Sequence, residues 1–174
     1  MALNGFILTS NILNNMVGIE VKVMSFSKLE TIWENDFPLL RAYALGYPKL
    51  YTDAMYWVLF VDGEAVGYTT ARPLYSQDNF LLCILVGNTY IKKEWRSNGF
   101  HKTLLRERNS FWIDMMVPII AIINPYEATP KHRLRSVVED LGYEILEYDE
   151  SEYPFNKMRY YDMISLKNKE MWVF

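Results

Sequence analysis

The dipeptide Asp62-Gly63 lies between two runs rich in aromatic and β-branched residues, Tyr56-Trp57-Val58-Leu59-Phe60-Val61 and Glu64-Ala65-Val66-Gly67-Tyr68-Thr69-Thr70. Asp-Gly supplies the positive backbone angles that a two-residue hairpin turn requires, so the segment predicts two tightly joined antiparallel strands. Around this hairpin the pattern changes period several times. Val17 to Met24 alternates apolar with polar or small residues and predicts a half-buried strand. Ser25 to Leu45 carries apolar residues at helical spacing, with Pro38 near a second start, and predicts two short helices.

After the hairpin, Phe80 to Ile91 predicts a long strand with Gly87-Asn88 inside it as a bulge or close-approach point. Leu104, Leu105, Phe111 and Trp112 recur at helical spacing up to Met116, and Ile119 to Ile123 is a continuously apolar run suited to a buried strand. Thr129 and Pro130 form a cap and first-turn pair. Leu134, Val137, Val138 and Leu141 give that helix an apolar face, and Gly142 ends it. Strands are expected near Tyr143 to Tyr148 and Tyr160 to Leu166. With no repeat, low-complexity tract or linker, the pattern predicts one mixed α/β domain over residues 1–174.

The composition narrows the class of function. A chain of 174 residues that is 51% hydrophobic can bury a core without a disulfide or metal staple. Its one cysteine, Cys83, sits in an apolar run, which excludes an intramolecular disulfide or a multi-cysteine zinc site and fits a reducing, cytoplasmic setting. A net charge of -3 provides no global basic field for nucleic acid or an anionic membrane. The beginning of the sequence lacks the pattern of a secretory signal, and no apolar stretch reaches the length of a membrane helix, so a soluble protein is expected. His101 and His132 are the only histidines, which leaves a Cys/His nucleophile pair or a typical zinc site without support, and no metal is expected.

The chemistry concentrates between residues 90 and 105. Here a strand passes through the polar turn Arg96-Ser97-Asn98-Gly99 into a helix, and amide N–H groups at a helix start, together with the helix dipole, suit a pyrophosphate. Gly99 permits close backbone approach. Lys92, Lys93, Arg96, Lys102, Arg106 and Arg108 surround the turn; the same residues also read as an ordinary loop followed by a solvated basic helix face.

This segment resembles the cofactor loop of the GNAT (N-acetyltransferase) superfamily, Arg/Gln-x-x-Gly-x-Gly/Ala, matched at Arg96 and Gly99 of Arg96-Ser97-Asn98-Gly99-Phe100-His101. Val61-Asp62-Gly63-Glu64-Ala65-Val66-Gly67-Tyr68 resembles the family's central hairpin, and Leu141-Gly142-Tyr143-Glu144 its late Gly-Phe segment, in the family's order. The resemblance spans residues 17–166. It implies a central mixed, mostly antiparallel sheet flanked by helices, with a strand-loop-helix phosphate site. It further implies acetyl-CoA as co-substrate, with the amides of Ser97, Asn98, Gly99, Phe100, His101 and Lys102 on the pyrophosphate and the backbone of Thr89, Tyr90 and Ile91 along the pantetheine arm. The acceptor is then an amine of a small molecule or protein.

The sequence also departs from the family's pattern. His101 stands where the loop usually ends in Gly or Ala, and its imidazole can crowd or donate to the phosphates. Val138 occupies the position of the family's frequent acid, a tyrosine, and Lys131 that of its usual asparagine, for which Asn124 is the substitute. Tyr126 and His132 are the remaining catalytic candidates, each also readable as a loop aromatic or a first-turn polar residue. The Phe80 to Ile91 strand carries no carboxylate base, and the run Glu144, Glu147, Asp149, Glu150 and Glu152 reads as a solvated acidic loop or a lure for a cationic amine. The two expectations are an N-acyltransferase and, alternatively, a catalytically silent structural or interaction protein of the same fold.

Overall fold

The computed structural model describes residues 18–32, 54–123, 133–144, 157 and 172–173. Its elements follow in the order β1 (Ile19–Ser25), α1 (Phe26–Ile32), β2 (Met55–Val61), β3 (Glu64–Tyr75), β4 (Leu81–Ile91), α2 (Phe100–Trp112), β5 (Ile119–Ile123), α3 (Arg133–Asp140) and β6 (Trp172–Val173). The strands form one sheet in the order β1-β2-β3-β4-β5-β6. Only β4 and β5 run parallel; every other neighbouring pair is antiparallel. Joining two parallel neighbours takes a crossover, and α2 provides it.

The expected hairpin is present. Asp62 and Gly63 both adopt positive φ, 50° and 82°, as a tight turn matched to strand twist demands. Side chains of β2 alternate between two cores: Tyr56 and Val58 pack on one face with Leu29 of α1, while Trp57, Leu59 and Val61 pack on the other with Phe100, Leu104 and Trp112 of α2 and Val138 of α3. A register shift at Leu59/Phe60 leaves Val66 as the extra residue of β3, so Gly67 lies opposite Leu59 and Ile91. Glycine is required there, because a Cβ on Gly67 would stand 2.7 Å from the Tyr90 carbonyl oxygen.

Several boundaries differ from expectation for identifiable reasons. β3 continues past Thr70 to Tyr75, and Pro73 pairs with Ile84 of β4 beyond the last β2 pair, Met55↔Ala71. Proline there argues for a strand end by sequence alone, but the surrounding apolar residues Ala71 and Leu74 are fully buried and hold the strand. The helix expected to reach Met116 stops at Trp112; a short 3₁₀ turn over Ile113–Met115 follows, and Met116 takes a left-handed φ of 52°. Tyr143 and Glu144 lie outside any strand. The remainder of that expected strand, the Tyr160 to Leu166 strand and the second of the two early helices fall outside the described residues, and the start of the helix capped by Thr129 does so too. The short strand β6, which pairs with the end of β5, has no counterpart in the sequence reading.

Candidate functional site

The site begins with a flaw in β4. Between the pairs Tyr68↔Tyr90 and Thr70↔Gly87, β3 advances by fewer residues than β4, and Asn88 absorbs the surplus with a left-handed φ of 49°. The expected Gly87-Asn88 bulge is therefore real. Threonine hydroxyls of β3 brace it: Thr70 Oγ1 donates to the Gly87 carbonyl at 2.8 Å. On the opposite side, the β4–β5 ladder among the described residues consists of Ile84↔Ile119, Leu85↔Ile120 and Val86↔Ala121, and stops just before the bulge. Beyond that point β3 is β4's one ladder partner among the described residues, which leaves its other backbone edge without a described strand.

β4 then leads through a short 3₁₀ turn, Lys93–Trp95, into the polar loop. Arg96 folds back and donates from Nε to the Ile91 carbonyl at 3.0 Å, and Asn98 Nδ2 donates to the carbonyls of Trp95 at 3.1 Å and Arg96 at 3.4 Å. These side chains hold the shape of the loop. Ser97 and Gly99 adopt positive φ, 69° and 77°, and α2 starts at Phe100 with no side-chain cap. Its first internal bond runs from the Thr103 amide to the Gly99 carbonyl at 3.2 Å, so the amides ahead of it point toward the helix end rather than into it. A Cβ on Gly99 would meet nothing within 4 Å. The glycine serves the backbone conformation and leaves open space in front of the helix start.

A cleft of about 480 Å³ joins these features, a volume usual for small-molecule sites. Thr89, Tyr90, Ile91, Arg96, Ser97, Gly99, Phe100, His101 and Lys102 line it, together with Trp95 and, from α3, Leu134 and Val137. Asn98 is close in sequence but does not line the cleft, consistent with its hydrogen bonds into the loop. Asn124, Tyr126 and His132 lie outside the described residues, as does Lys131. Val138, at the position where the resemblance expects a tyrosine, is 4% exposed and packs in the core beneath α2.

The basic cluster read from the sequence is more divided than its spacing suggests. Lys92 pairs with Glu64 at 3.0 Å, and Lys102 pairs with Asp140 of α3 at 2.8 Å. Hydrogen bonding from Lys102, then its charge, holds the Asp140 carboxyl below the usual carboxylate range. A depressed folded-state pKa gives stability that is full above the ordinary Asp value and is lost as pH falls through the folded one. Asp140→Asn is therefore expected to flatten the acid-side fall in thermal stability slightly, a change read by melting curves across that range.

Arg108 corrects the solvated-face reading outright. It is 2% exposed. Its Nη1 donates to Thr69 Oγ1 at 2.8 Å, Nε and Nη2 donate to Asn109 Oδ1 at 3.1 and 2.9 Å, and Nη2 donates to the Tyr143 hydroxyl at 3.3 Å. Among the described residues no carboxylate neutralises it. Burial pushes its pKa down, opposed by Tyr143, yet a guanidinium starts high enough to stay charged at physiological pH. The signal was present in the sequence: Leu104, Arg108 and Trp112 recur every fourth residue, which puts Arg108 on the apolar stripe of its helix.

No protein-family model matches this sequence. No curated protein matches it. Solved structures do match its fold. A possible acetyltransferase from Clostridium difficile is 16% identical over 78% of this chain and 97% of its own, with a TM-score of 0.56. Arabidopsis thaliana Naa50, in complex with the bisubstrate analogue CoA-Ac-MVNAL, is 14% identical over 79% and 93%, with a TM-score of 0.55. The ribosomal-protein-alanine N-acetyltransferase of Brucella melitensis is 14% identical over 76% and 95%, with a TM-score of 0.54. The chain has the fold of the GNAT acetyltransferases, a mixed α/β architecture with a mostly antiparallel sheet flanked by helices.

Proposed function

We propose that this protein is an acyl-CoA-dependent N-acyltransferase that moves an acetyl group from acetyl-CoA to an amine on a small molecule or protein, within a single cytoplasmic domain. One observation carries the reading: the cleft opens where β4 parts from β5 and ends at the uncapped, glycine-led start of α2. An elongated ligand with a pyrophosphate at one end and amide groups along its arm fits such a cleft, with phosphates at the helix start and the arm along the free edge of β4. The neighbour solved with a CoA-peptide bisubstrate analogue supports a CoA-type co-substrate by fold.

When bound, acetyl-CoA supplies an activated acyl carbon and a thiolate leaving group. The chain supplies orientation. The loop amides of Ser97 and of Gly99 to Lys102 fix the phosphates, and Thr89 to Ile91 align the arm so that an acceptor nitrogen reaches the carbonyl carbon from the side of the parted strands. The new C–N bond replaces the C–S bond, and the amine gives up its proton to solvent. Because the thiolate leaves readily, holding the partners together contributes much of the acceleration.

Val138 favours a second reading, a silent interaction protein, because an alkyl side chain there has no proton to give. Mass spectrometry of a panel of small amines and peptides incubated with acetyl-CoA separates the two. The first reading predicts an acetylated product with turnover; consumption of no acetyl-CoA across the panel supports the second.

A further inference from the structure

The buried cation at Arg108 and the threonine at the inner end of the cleft belong to one hydrogen-bonded chain. Arg108 Nη1 donates to Thr69 Oγ1 at 2.8 Å, and Thr69 Oγ1 lies 2.8 Å from Thr89 Oγ1. Thr69 is fully buried, whereas Thr89 lines the cleft. A hydroxyl has one proton to give, so the direction of the chain is decided at Thr69. Its oxygen already accepts from the guanidinium, and a neighbouring positive charge turns the hydroxyl proton away from itself.

Two acceptors are within reach of that proton. The Gly87 carbonyl lies at 3.4 Å and already takes the 2.8 Å bond from Thr70, while Thr89 Oγ1 lies at 2.8 Å. The shorter contact to the less occupied oxygen prevails. Thr89 then accepts from Thr69, and its own proton is left to donate into the cleft. The other end of the network is equally fixed. The Tyr143 hydroxyl donates to Asn109 Oδ1 at 3.1 Å, and that oxygen accepts from Arg108 as well. Gly142, at φ 84°, turns the chain at the end of α3 and delivers Tyr143 to this position.

We propose that Thr89 is a catalytic hydrogen-bond donor to the thioester carbonyl oxygen, and that Thr69 and the buried Arg108 are positioning residues that fix and polarise its hydroxyl. The inference rests on the acetyl-CoA reading of the cleft. Of the β4 residues lining the cleft, Thr89 comes first along the strand and is the most residues removed from Gly99, so a ligand with its phosphates at Gly99 and its arm running back along β4 brings its acyl end toward this hydroxyl. A carbonyl oxygen gaining negative charge during transfer is stabilised by a donor already aimed at it, and more so when a cation in a low-dielectric interior sits behind that donor. The arrangement also gives a reason for a buried charge that no carboxylate neutralises among the described residues, an expensive choice for packing alone.

The test uses acetyl-CoA labelled with carbon-13 at the carbonyl, bound to the full chain and read by difference infrared spectroscopy, with affinity measured in parallel by calorimetry. In the wild type the carbonyl band is expected below its frequency in free acetyl-CoA. Thr89→Val, which keeps the shape and removes the donor, returns it toward the free value, while affinity stays within about tenfold. Thr89→Ser retains the wild-type position. Arg108→Met returns the band part of the way, with Thr69→Val interrupting the same chain should that variant fail to fold. A band at the same position in wild type and Thr89→Val overturns the proposal and leaves the acetyl-CoA reading standing. Absence of acetyl-CoA binding to the wild type overturns both.

Discussion

Gly99→Glu is expected to lower acetyl-CoA affinity by roughly a hundredfold, with the fold retained. A carboxylate placed 4 Å from a phosphate is opposed by about 4 kcal/mol at an effective dielectric constant of 20; a flexible exposed side chain realises part of that, and each 1.4 kcal/mol is tenfold. The position is suited to the experiment because a Cβ there meets nothing within 4 Å, so bulk does not disturb the protein itself. The backbone does register the change, since φ at Gly99 is 77°. Gly99→Asn serves as the control: asparagine tolerates the left-handed region and adds no charge. Calorimetry should show Asn near wild type and Glu far weaker. Equal affinities for Glu and Asn would mean that the helix start does not face the phosphates.

Trp57→Ala is expected to destabilise the chain by about 3–5 kcal/mol, a large share of the stability of any domain of this size. Trp57 is 1% exposed in the middle of β2, and its ring meets Phe111 and Trp112 of α2 edge-on, with centroids 5.4 and 6.1 Å away. Its indole N–H has no acceptor among the described residues, so the contribution comes from packing and leaves no lost hydrogen bond to confuse the measurement. The effect should be read by circular dichroism in urea, as a lower midpoint with an unchanged slope. A loss below about 1 kcal/mol would show that α2 is not seated on the sheet through this cluster.

How far the sequence could be read follows from which interactions are local. The Asp62-Gly63 turn was legible because two adjacent residues determine it, and the Gly87-Asn88 irregularity because glycine and asparagine tolerate angles that neighbours do not. The loop around Gly99 was legible for the same reason, and nine of its assigned neighbours do line one cleft. Longer-range choices were not. Pro73 lies within a strand because β3 has there run past its last pair with β2, so the missing N–H interrupts no ladder among the described residues, and nothing nearby announces that. Arg108 was grouped with exposed lysines and arginines by its charge, although its spacing from Leu104 and Trp112 placed it inward. The Thr69 to Thr89 contact joins positions 20 residues apart on neighbouring strands and exists only once the bulge has set their register.

The central claim is that the cleft between β4, α2 and α3 is an acetyl-CoA site. A calorimetric titration of the wild-type chain with acetyl-CoA tests it most directly. The account predicts saturable binding of one ligand per chain with a dissociation constant below about 1 mM, the level at which roughly 4 kcal/mol is already committed to the complex. No binding at millimolar acetyl-CoA would contradict it.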